Sequence, residues 1–320
     1  MKLDLKDKKI LYELDLNARQ TDSEIGKKIG LKREVVTYRI NRLINHGIIK
    51  NFVTLLNDYA LGYRTYRIFI KFRDLTERKE EEIVKYIKHK AKWLVKVRGK
   101  WSFNFTIITK DIHALEKFIN NIKEKFQRNF IELNFSLITR VYNYRRGYIL
   151  NNKIDKSKYS VMGEVVKKYH ADSIDIKILK ILQNNARMSS VEISNKINIS
   201  ERIIRYRIKK LIKNKIIIGF RSMLDLNKFG YSYYKIHLKY KKINQEIIKK
   251  IKDYLHFNPN IIYKTETIGG PDLEFEIQTI NNKEMYTILD KFIKEFEGII
   301  EDYEILEYEK EYKLSYLNVI

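Results

Sequence analysis

The stretch VVTYRINRLINHGII, residues 35–49, recurs as IIRYRIKKLIKNKII at residues 203–217, an offset of 168. Both stretches have the apolar spacing of an amphipathic helix, with basic residues on the opposite side. In the second copy the apolar side consists of Ile204, Ile208, Leu211 and Ile212. A short helical segment and a tight turn precede each stretch. This order predicts a helix-turn-helix whose last helix has a basic outer face.

The repeat extends well beyond this helix. DKKILYELDLNARQ, which begins at Asp7, aligns with DIKILKILQNNARM, which begins at Asp175. About 23 of the 57 positions between 7 and 63 are identical in the two copies, with no gap. Chance does not keep one register for that length. The chain of 320 residues is therefore predicted to be two copies of one unit, a duplication rather than a solenoid.

After each helix-turn-helix the pattern predicts a ferredoxin-like βαββαβ unit. In the first copy we expect strands at 65–73, 93–97, 102–109 and 131–142, and helices at 77–90 and 112–126. In the second copy we expect strands at 231–240, 261–267, 273–280 and 300–308, and helices at 244–256 and 284–296. The predicted fold class is α+β, with two helix-turn-helix domains and two ferredoxin-like βαββαβ domains in tandem.

The repeat also sets the expected domain boundaries. In the first copy they are a helix-turn-helix domain at 1–50, a linker strand at 51–63 and a ferredoxin-like domain at 64–147. A connector at 148–170 is expected to be partly ordered, with a short helix around Val161, Val165 and Val166. The second copy repeats the scheme at 171–218, 219–231 and 232–320.

Composition narrows the class of function. The formal net charge is +24, which favours a polyanion such as nucleic acid as partner, although codon bias would also produce basic residues. The absence of cysteine excludes disulfides, cysteine zinc sites and a thiol nucleophile. The six histidines lack metal-ligand spacing, and the charged residues of the N-terminal stretch lead us to expect no signal peptide. We expect a cytoplasmic protein with no catalytic residues, no metal, no cofactor and no membrane span.

The charge is distributed unevenly along the chain. Residues 64–168 carry +15, whereas residues 226–320 carry −2. Opposite potentials would favour face-to-face pairing of the two ferredoxin-like domains within the chain. Alternatively, the first domain adds a second DNA-contacting surface, for which the candidates are Arg98, Lys100, Arg145 and Arg146. The third interpretation is codon bias on solvated faces.

Several of the repeated residues form a known pattern. Each unit resembles the Lrp/AsnC (feast/famine) transcriptional regulators. The matching residues of the first copy are Asp7, Ile10, Leu11, Asn17, Ala18, Arg19, Tyr38, Arg39, Ile40, Leu43, Gly47, Ile48, Ile49 and Gly62. Those of the second copy are Asp175, Ile178, Leu179, Asn185, Ala186, Arg187, Tyr206, Arg207, Ile208, Leu211 and Gly230. The resemblance implies a DNA-binding regulator with an amino-acid-sensing effector and dimerisation domain. The Lys/Ile/Asn-rich composition suggests a prokaryotic source, an archaeon with an AT-rich genome.

The outward side chains of the two recognition helices are the predicted contacts to DNA. They are Arg33, Thr37, Tyr38, Asn41 and Arg42 in the first copy, and Ser200, Arg202, Arg205, Tyr206, Lys209 and Lys210 in the second. For Arg39 and Arg207, phosphate contacts and ion pairs within the domain are equally compatible with the sequence. Ser200 is also expected to cap its helix, whereas its counterpart Lys32 has no acceptor for that role.

The turn Gly269-Gly270-Pro271-Asp272-Leu273 is similar to the family's Gly-x-x-Asp-Leu turn. The resemblance implies an effector site with Gly269, Gly270 and Asp272. The alternative is a hairpin turn that needs glycine only for its positive φ. The first copy has Ser102 where Asp272 stands, and Lys215 of the second copy replaces Gly47.

A duplicated chain suggests a pseudo-dimer within one molecule that reads two half-sites of duplex DNA. The expected partners are double-stranded DNA and an amino-acid effector, with oligomers of pseudo-dimeric chains left open. One alternative is an enzyme that resembles the sirohaem decarboxylases, in which Arg98, His89 and His113 would hold a tetrapyrrole. Another is an architectural DNA-binding protein with little sequence preference.

Overall fold

The computed structural model describes residues 2–150, 159–164, 169–241 and 243–314. The first half begins with helices α1 (Leu5–Leu16), α2 (Asp22–Ile29) and α3 (Arg33–Asn45), followed by the linker strand β1 (Ile49–Leu56). It continues with β2 (Arg64–Phe72), α4 (Glu77–Lys90), β3 (Trp93–Arg98), β4 (Phe103–Thr109), α5 (Ile112–Lys125) and β5 (Phe130–Asn143). A short strand, β6 (Ser160–Met162), lies in the predicted connector.

The second half repeats this order. It has helices α6 (Ser173–Asn184), α7 (Ser190–Ile197) and α8 (Glu201–Lys213), the linker strand β7 (Ile217–Leu224) and a short helix α9 (Leu226–Phe229). It ends with β8 (Ser232–Tyr240), α10 (Gln245–Phe257), β9 (Ile261–Ile268), β10 (Leu273–Thr279), α11 (Asn282–Glu295) and β11 (Ile300–Leu314). The predicted α+β composition and the strand–helix–strand–strand–helix–strand order are both observed.

The connector differs from the prediction at Val161. This residue lies in β6, which pairs antiparallel with β5, and not in a helix. The β-branched side chain suits an extended strand that can share backbone hydrogen bonds with an exposed sheet edge. Val165 and Val166 lie outside the described residues.

Local sequence explains where the helices of the two helix-turn-helix units begin and end. Thr21 and Ser189 form capping boxes at the starts of α2 and α7. Gly30 and Asn198 end these helices in the left-handed conformation, with φ of 68° and 54°. Ser200 occupies the N-cap position of α8 but makes no capping hydrogen bond with its side chain, so the predicted cap is wrong.

The two sets of four strands do not remain separate sheets. β3 pairs with β11 and β5 pairs with β9, both antiparallel, which joins the halves along both edges. β2 also pairs with β5, so the strand order β2-β4-β3-β11-β8-β10-β9-β5 closes on itself. The result is an eight-stranded barrel without free edges among these strands. Face-to-face pairing of the halves was one of three interpretations of the charge distribution; the halves instead pair edge to edge, and the sequence did not indicate a closed barrel.

Alternation along the barrel strands places two kinds of residue on their two faces. The outer faces are apolar and pack under α4 and α5 in the first half and under α10 and α11 in the second. The inner faces carry many of the buried polar side chains of the chain.

The two helix-turn-helix units are interlocked. The linker strands β1 and β7 pair antiparallel, α6 packs on β1, and α1 packs on β7. One apolar core therefore includes residues of both units, such as Leu11 and Leu179. The Thr54 hydroxyl donates to the Leu182 carbonyl across this core, at 2.7 Å. In the described ranges, no helix has the length and apolar character that crossing a membrane requires.

Candidate nucleic-acid interface and barrel cavities

Helix α8 presents a basic outer face. Its buried side consists of Ile204, Ile208 and Leu211, so the side chains between them face away from the core. Tyr206 is 63% exposed, and its counterpart Tyr38 on α3 is 66% exposed. A large aromatic side chain with this degree of exposure on a helix surface is available to contact a partner. The outward predicted residues of α8 are Arg202, Arg205, Tyr206 and Lys209, with Lys210 at the edge of the face.

Two of these side chains have partners within the unit. Arg205 forms an ion pair with Glu201, one helical turn earlier. The ammonium group of Lys210 lies 5.6 Å from the ring centre of Tyr169. Arg202 and Lys209 form no ion pair with any residue in the part of the chain that the structure describes. Among the predicted contact residues of α8, they are the cations most available to DNA.

On α3, the predicted residues divide into outward and inward sets. Arg33, Tyr38 and Asn41 are exposed. The hydroxyl of Thr37 instead donates to Asp22 at 2.6 Å. The guanidinium of Arg42 turns back and binds both carboxylate oxygens of Asp7 on α1, at 2.7 and 2.8 Å. Arg42 therefore stabilises its own unit and is not part of the outward face.

Of the two roles considered for Arg39 and Arg207, the structure shows ion pairs within the domain. Arg39 lies 2.7 Å from Asp4 and 2.8 Å from Asp7. Arg207 lies 2.5 Å from Asp172 and 3.3 Å from Asp175. The hydrogen bond from Arg39 lowers the pKa of Asp4. Each pair ties the recognition helix to the first helix of its unit.

The Asn-Ala-Arg motif of each copy clamps the two units together. Arg19 donates to the carbonyls of Ala186 and Met188, at 2.6 and 2.9 Å. Arg187 donates to the Ala18 carbonyl at 2.9 Å and to Asp22 at 2.6 Å. Each guanidinium also lies over a phenylalanine of a linker strand, 5.4 Å from Phe220 and 5.3 Å from Phe52. The sequence marked these arginines as repeated residues, but nothing in it showed that each contacts the other copy.

A second interdomain contact is buried and asymmetric. Asp15, at the end of α1, lies 2.5 Å from Arg146 and 2.5 Å from Arg221. Burial opposes ionisation of Asp15, but Arg221 and Arg146 hold its pKa far below the usual range. Positions 53 and 183 correspond to Arg221 and Asp15 in the repeat, and they hold valine and glutamine. The repeat therefore gave no signal for this cluster.

The predicted second DNA-contacting surface on the first domain is only partly exposed. Arg98 is outward but pairs with Glu309 at 3.1 Å, and Lys100 pairs with Glu132 at 3.5 Å. Arg145 donates to the carbonyls of Asp15 and Leu16, and Arg146 is buried. Arg145 and Arg146 therefore hold the first helix-turn-helix against the barrel and do not form that surface.

Inside the barrel, four buried charges form one cluster. Lys235 lies 2.9 Å from Glu274 and 2.8 Å from Glu276. Arg67 lies 3.2 Å from Glu274 and 3.8 Å from Glu276. Burial alone would raise the pKa of Glu274, but Arg67 and Lys235 outweigh it and hold the pKa at about 2. The hydroxyls of Tyr233 and Tyr308 donate to Glu276.

A cavity lies on each side of this cluster. The first, of about 190 Å³, is bordered by residues of the barrel and of both linker segments, including Arg67, Tyr233, Glu276, Lys50 and Leu224. The second, of about 290 Å³, is lined by Phe69, Trp101, His237, Gly270, Asp272 and Glu304. His237 lies 2.8 Å from Glu304.

The predicted effector turn borders the second cavity. Gly269 has φ of +81°, and a Cβ on Gly270 would lie 2.8 Å from the Thr267 hydroxyl and 3.0 Å from the Ser136 Cβ. Asp272 accepts a hydrogen bond from the backbone N–H of Tyr240 at 2.8 Å. Glycine is therefore needed both for backbone conformation and for close approach of the two halves.

Of the residues named for a tetrapyrrole, Arg98 pairs with Glu309. Within the described ranges, no three His, Cys, Asp or Glu side chains are placed to share a metal ion. His113 is exposed and lies 3.4 Å from Glu116 on its own helix.

Comparisons with known proteins agree with the repeat. A model of the AsnC-type helix-turn-helix domain matches residues 172–212, and a model described as winged helix-turn-helix DNA-binding matches residues 3–50. HTH-type transcriptional regulator FL11 of Pyrococcus horikoshii is 34% identical over 119 residues, which make up 37% of this chain and 78% of that regulator. This chain belongs to the Lrp/AsnC family of helix-turn-helix transcriptional regulators.

Other relatives show the same proportion. FL11 of Pyrococcus furiosus is 31% identical to this Lrp/AsnC chain over 131 residues, which make up 40% of the chain and 83% of the relative. Each relative thus aligns with less than half of this chain, as expected for a duplicated unit. Many of the related regulators are archaeal.

The whole Lrp/AsnC chain also has a counterpart among solved structures. The siroheme decarboxylase NirDL matches 98% of this chain and 94% of its own, with a TM-score of 0.64 and 13% identity. At this identity, the likeness shows that the two chains share a fold.

Proposed function

We propose that this chain regulates transcription by binding duplex DNA with both helix-turn-helix units of one molecule, as a pseudo-dimer. The observation that carries the proposal is the combination of two outward recognition helices with a clamp between the units. Each helix exposes a tyrosine, and α8 adds Arg202 and Lys209. The reciprocal bonds of Arg19 and Arg187 and the paired strands β1 and β7 hold the helices in one arrangement.

A fixed arrangement supports binding to two half-sites at one spacing. Paired units of this kind engage half-sites about one helical turn, or multiples of it, apart. In this chain the two units are unlike, because only about 23 of 57 positions are shared by the repeats. We infer that the operator is not a perfect palindrome.

We also propose that each βαββαβ half of the barrel is a ferredoxin-like unit.

The DNA-binding proposal is tested by removing the outward residues of one helix at a time. We expect Tyr206→Ala combined with Lys209→Ala, or Tyr38→Ala combined with Asn41→Ala, to weaken binding to DNA from the chain's own upstream region at least about tenfold, since each lost contact costs on the order of 1 kcal/mol or more. Fluorescence anisotropy at two salt concentrations, with excess random DNA, measures this. Lys249→Ala on the exposed side of α10 is the matched control.

The outcomes separate the alternatives. Binding that random DNA abolishes, with a steep salt dependence, supports an architectural protein. No binding at low salt contradicts the proposal. An absorbance titration with sirohaem would then test the enzyme alternative, for which the shared fold is the supporting observation. The volume of the first cavity argues against a large ligand such as sirohaem there, because it is about 190 Å³, whereas sites for drug-sized ligands typically have roughly 300–1,000 Å³.

We further propose that an amino-acid effector binds at the turn that contains Gly269, Gly270 and Asp272, in the second cavity. A Cβ at position 270 would enter the space between the two halves, so Gly270→Ala is expected to abolish ligand-induced stabilisation. Thermal unfolding is measured in the presence of each of the twenty amino acids. At a ligand concentration about 100 times the Kd, binding adds about 2.7 kcal/mol to the free energy of unfolding. Gly219→Ala in β7 is the control, because its backbone is not left-handed and a Cβ there would make ordinary contacts, the nearest at 3.4 Å to the Leu55 side chain. Stabilisation that survives in Gly270→Ala would contradict this site.

A further inference from the structure

We infer that the two recognition helices have different tasks: α8 anchors the protein on DNA phosphates, whereas α3 discriminates between bases. This inference rests on the proposed DNA binding and makes it more specific. It predicts an operator in which one half-site tolerates base changes and the other does not.

The first observation is the charge of the two outer faces. Five positions of α8 carry cations where α3, at the same places in the repeat, carries only one. The α8 residues are Arg202, Arg205, Lys209, Lys210 and Lys213, and the α3 residues are Glu34, Thr37, Asn41, Arg42 and Asn45. The single α3 cation of this set, Arg42, is bound to Asp7. Neutralised phosphates supply affinity and salt dependence irrespective of sequence, so this charge favours α8 as the anchor.

The second observation is the chemistry of the α3 face. Tyr38, Asn41 and Asn45 are exposed and uncharged, and each can donate and accept hydrogen bonds. Asparagine in a major groove forms paired hydrogen bonds with adenine N6 and N7. Arg33 is the one exposed cation of α3, so this face gains less from phosphates than α8 does and must obtain more of its binding from such base contacts. Among the exposed α3 residues, Asn41 is the one we assign to base recognition.

The third observation is that α3 is positioned from the other unit. The Thr37 hydroxyl donates to Asp22, and Arg187 of the second unit binds the other oxygen of the same carboxylate, both at 2.6 Å. In the second unit, the residues corresponding to Thr37 and Asp22 are Arg205 and Ser190, so this chain of bonds has no equivalent there. Base recognition needs a helix held in fixed geometry, and the clamp gives that support to α3.

The test is a pair of substitutions at one repeat position. A duplex is first selected by the unmodified chain from a library with randomised base pairs, and the salt slope and the ratio of selected to random binding are then measured. We expect Lys209→Ala to reduce the slope of log K against log salt by about 0.9 and to weaken both duplexes equally. We expect Asn41→Ala to leave the slope unchanged and to lower the ratio about 5- to 150-fold.

Both substitutions are at exposed positions, so circular dichroism should show unchanged folding. The reciprocal exchange adds a second readout: Asn41→Lys should raise the salt slope and reduce discrimination. Equal effects of Lys209→Ala and Asn41→Ala on slope and ratio would overturn the division of tasks. Selection without enrichment would also overturn it while leaving DNA binding intact. Failure of the unmodified chain to bind any duplex would instead contradict the proposed function.

Discussion

Replacing Asp15 with alanine is expected to destabilise the folded protein by about 3–5 kcal/mol, because breaking a buried ion pair leaves its partner charges uncompensated. Asp15 is completely buried, and Arg146 and Arg221 both lie 2.5 Å from its carboxylate. The backbone N–H of Arg146 also donates to it, at 2.9 Å. These contacts join helix α1, the segment after β5 and strand β7. Urea unfolding, monitored by circular dichroism, measures the loss.

The repeat provides a control for this prediction. Gln183 occupies the position of Asp15 in the second copy, and Gln183→Ala should cost about 1 kcal/mol or less, because no buried charge is left without a partner. Similar losses for the two variants would show that the ion cluster does not make the difference.

The same cluster predicts a pH dependence. The pKa of Asp15 in the folded protein lies below its value of about 3.9 in the unfolded chain. Its stabilisation is therefore present above about pH 4 and is lost as the pH falls towards the lower, folded value. In Asp15→Asn this part of the acid dependence should disappear. An unchanged acid dependence in the variant would contradict the assignment.

Replacing Glu276 with alanine is the second substitution for which we expect a loss of about 3–5 kcal/mol. Glu276 compensates Lys235, which is completely buried, and also accepts from the hydroxyls of Tyr233 and Tyr308. Without this carboxylate, Lys235 and Arg67 share Glu274 alone. The excess positive charge lies in the centre of the barrel, where solvation is poorest.

Chemical unfolding again gives the measurement, with Thr106→Ala as the control. Thr106 occupies the position of Glu276 on β4 and is buried to a similar degree, but it carries no charge. We expect a loss of about 1 kcal/mol for that variant. A Glu276→Ala protein as stable as the Thr106→Ala protein would show that the barrel charges are compensated in another way. Glu276→Gln, which preserves the shape, separates the loss of charge from the loss of volume.

The helix-turn-helix units were predictable because their signals are local. The apolar spacing of residues such as Ile204 and Ile208 fixes which side of α8 is buried, and Gly30 permits the turn before α3. The individual site residues were less predictable. Thr37 and Arg42 share the helix with Asn41, but whether such a side chain faces solvent or binds an aspartate depends on where α1 and α2 pack.

By itself, the sequence determined the duplication, the order of helices and strands, the family and the basic character of the recognition helices. These features follow from periodicity and from identity at a constant offset, which involve residues near one another or in matching positions. Only the tertiary structure decided that the sheets close into a barrel, that Arg19 and Arg187 clamp opposite units, and that Asp15 binds Arg146 and Arg221. Strand edges and long cationic side chains can pair with many alternative partners that lie far away in the chain. Which pairing forms depends on the packing of the whole molecule, because buried charges and backbone groups need compensating partners.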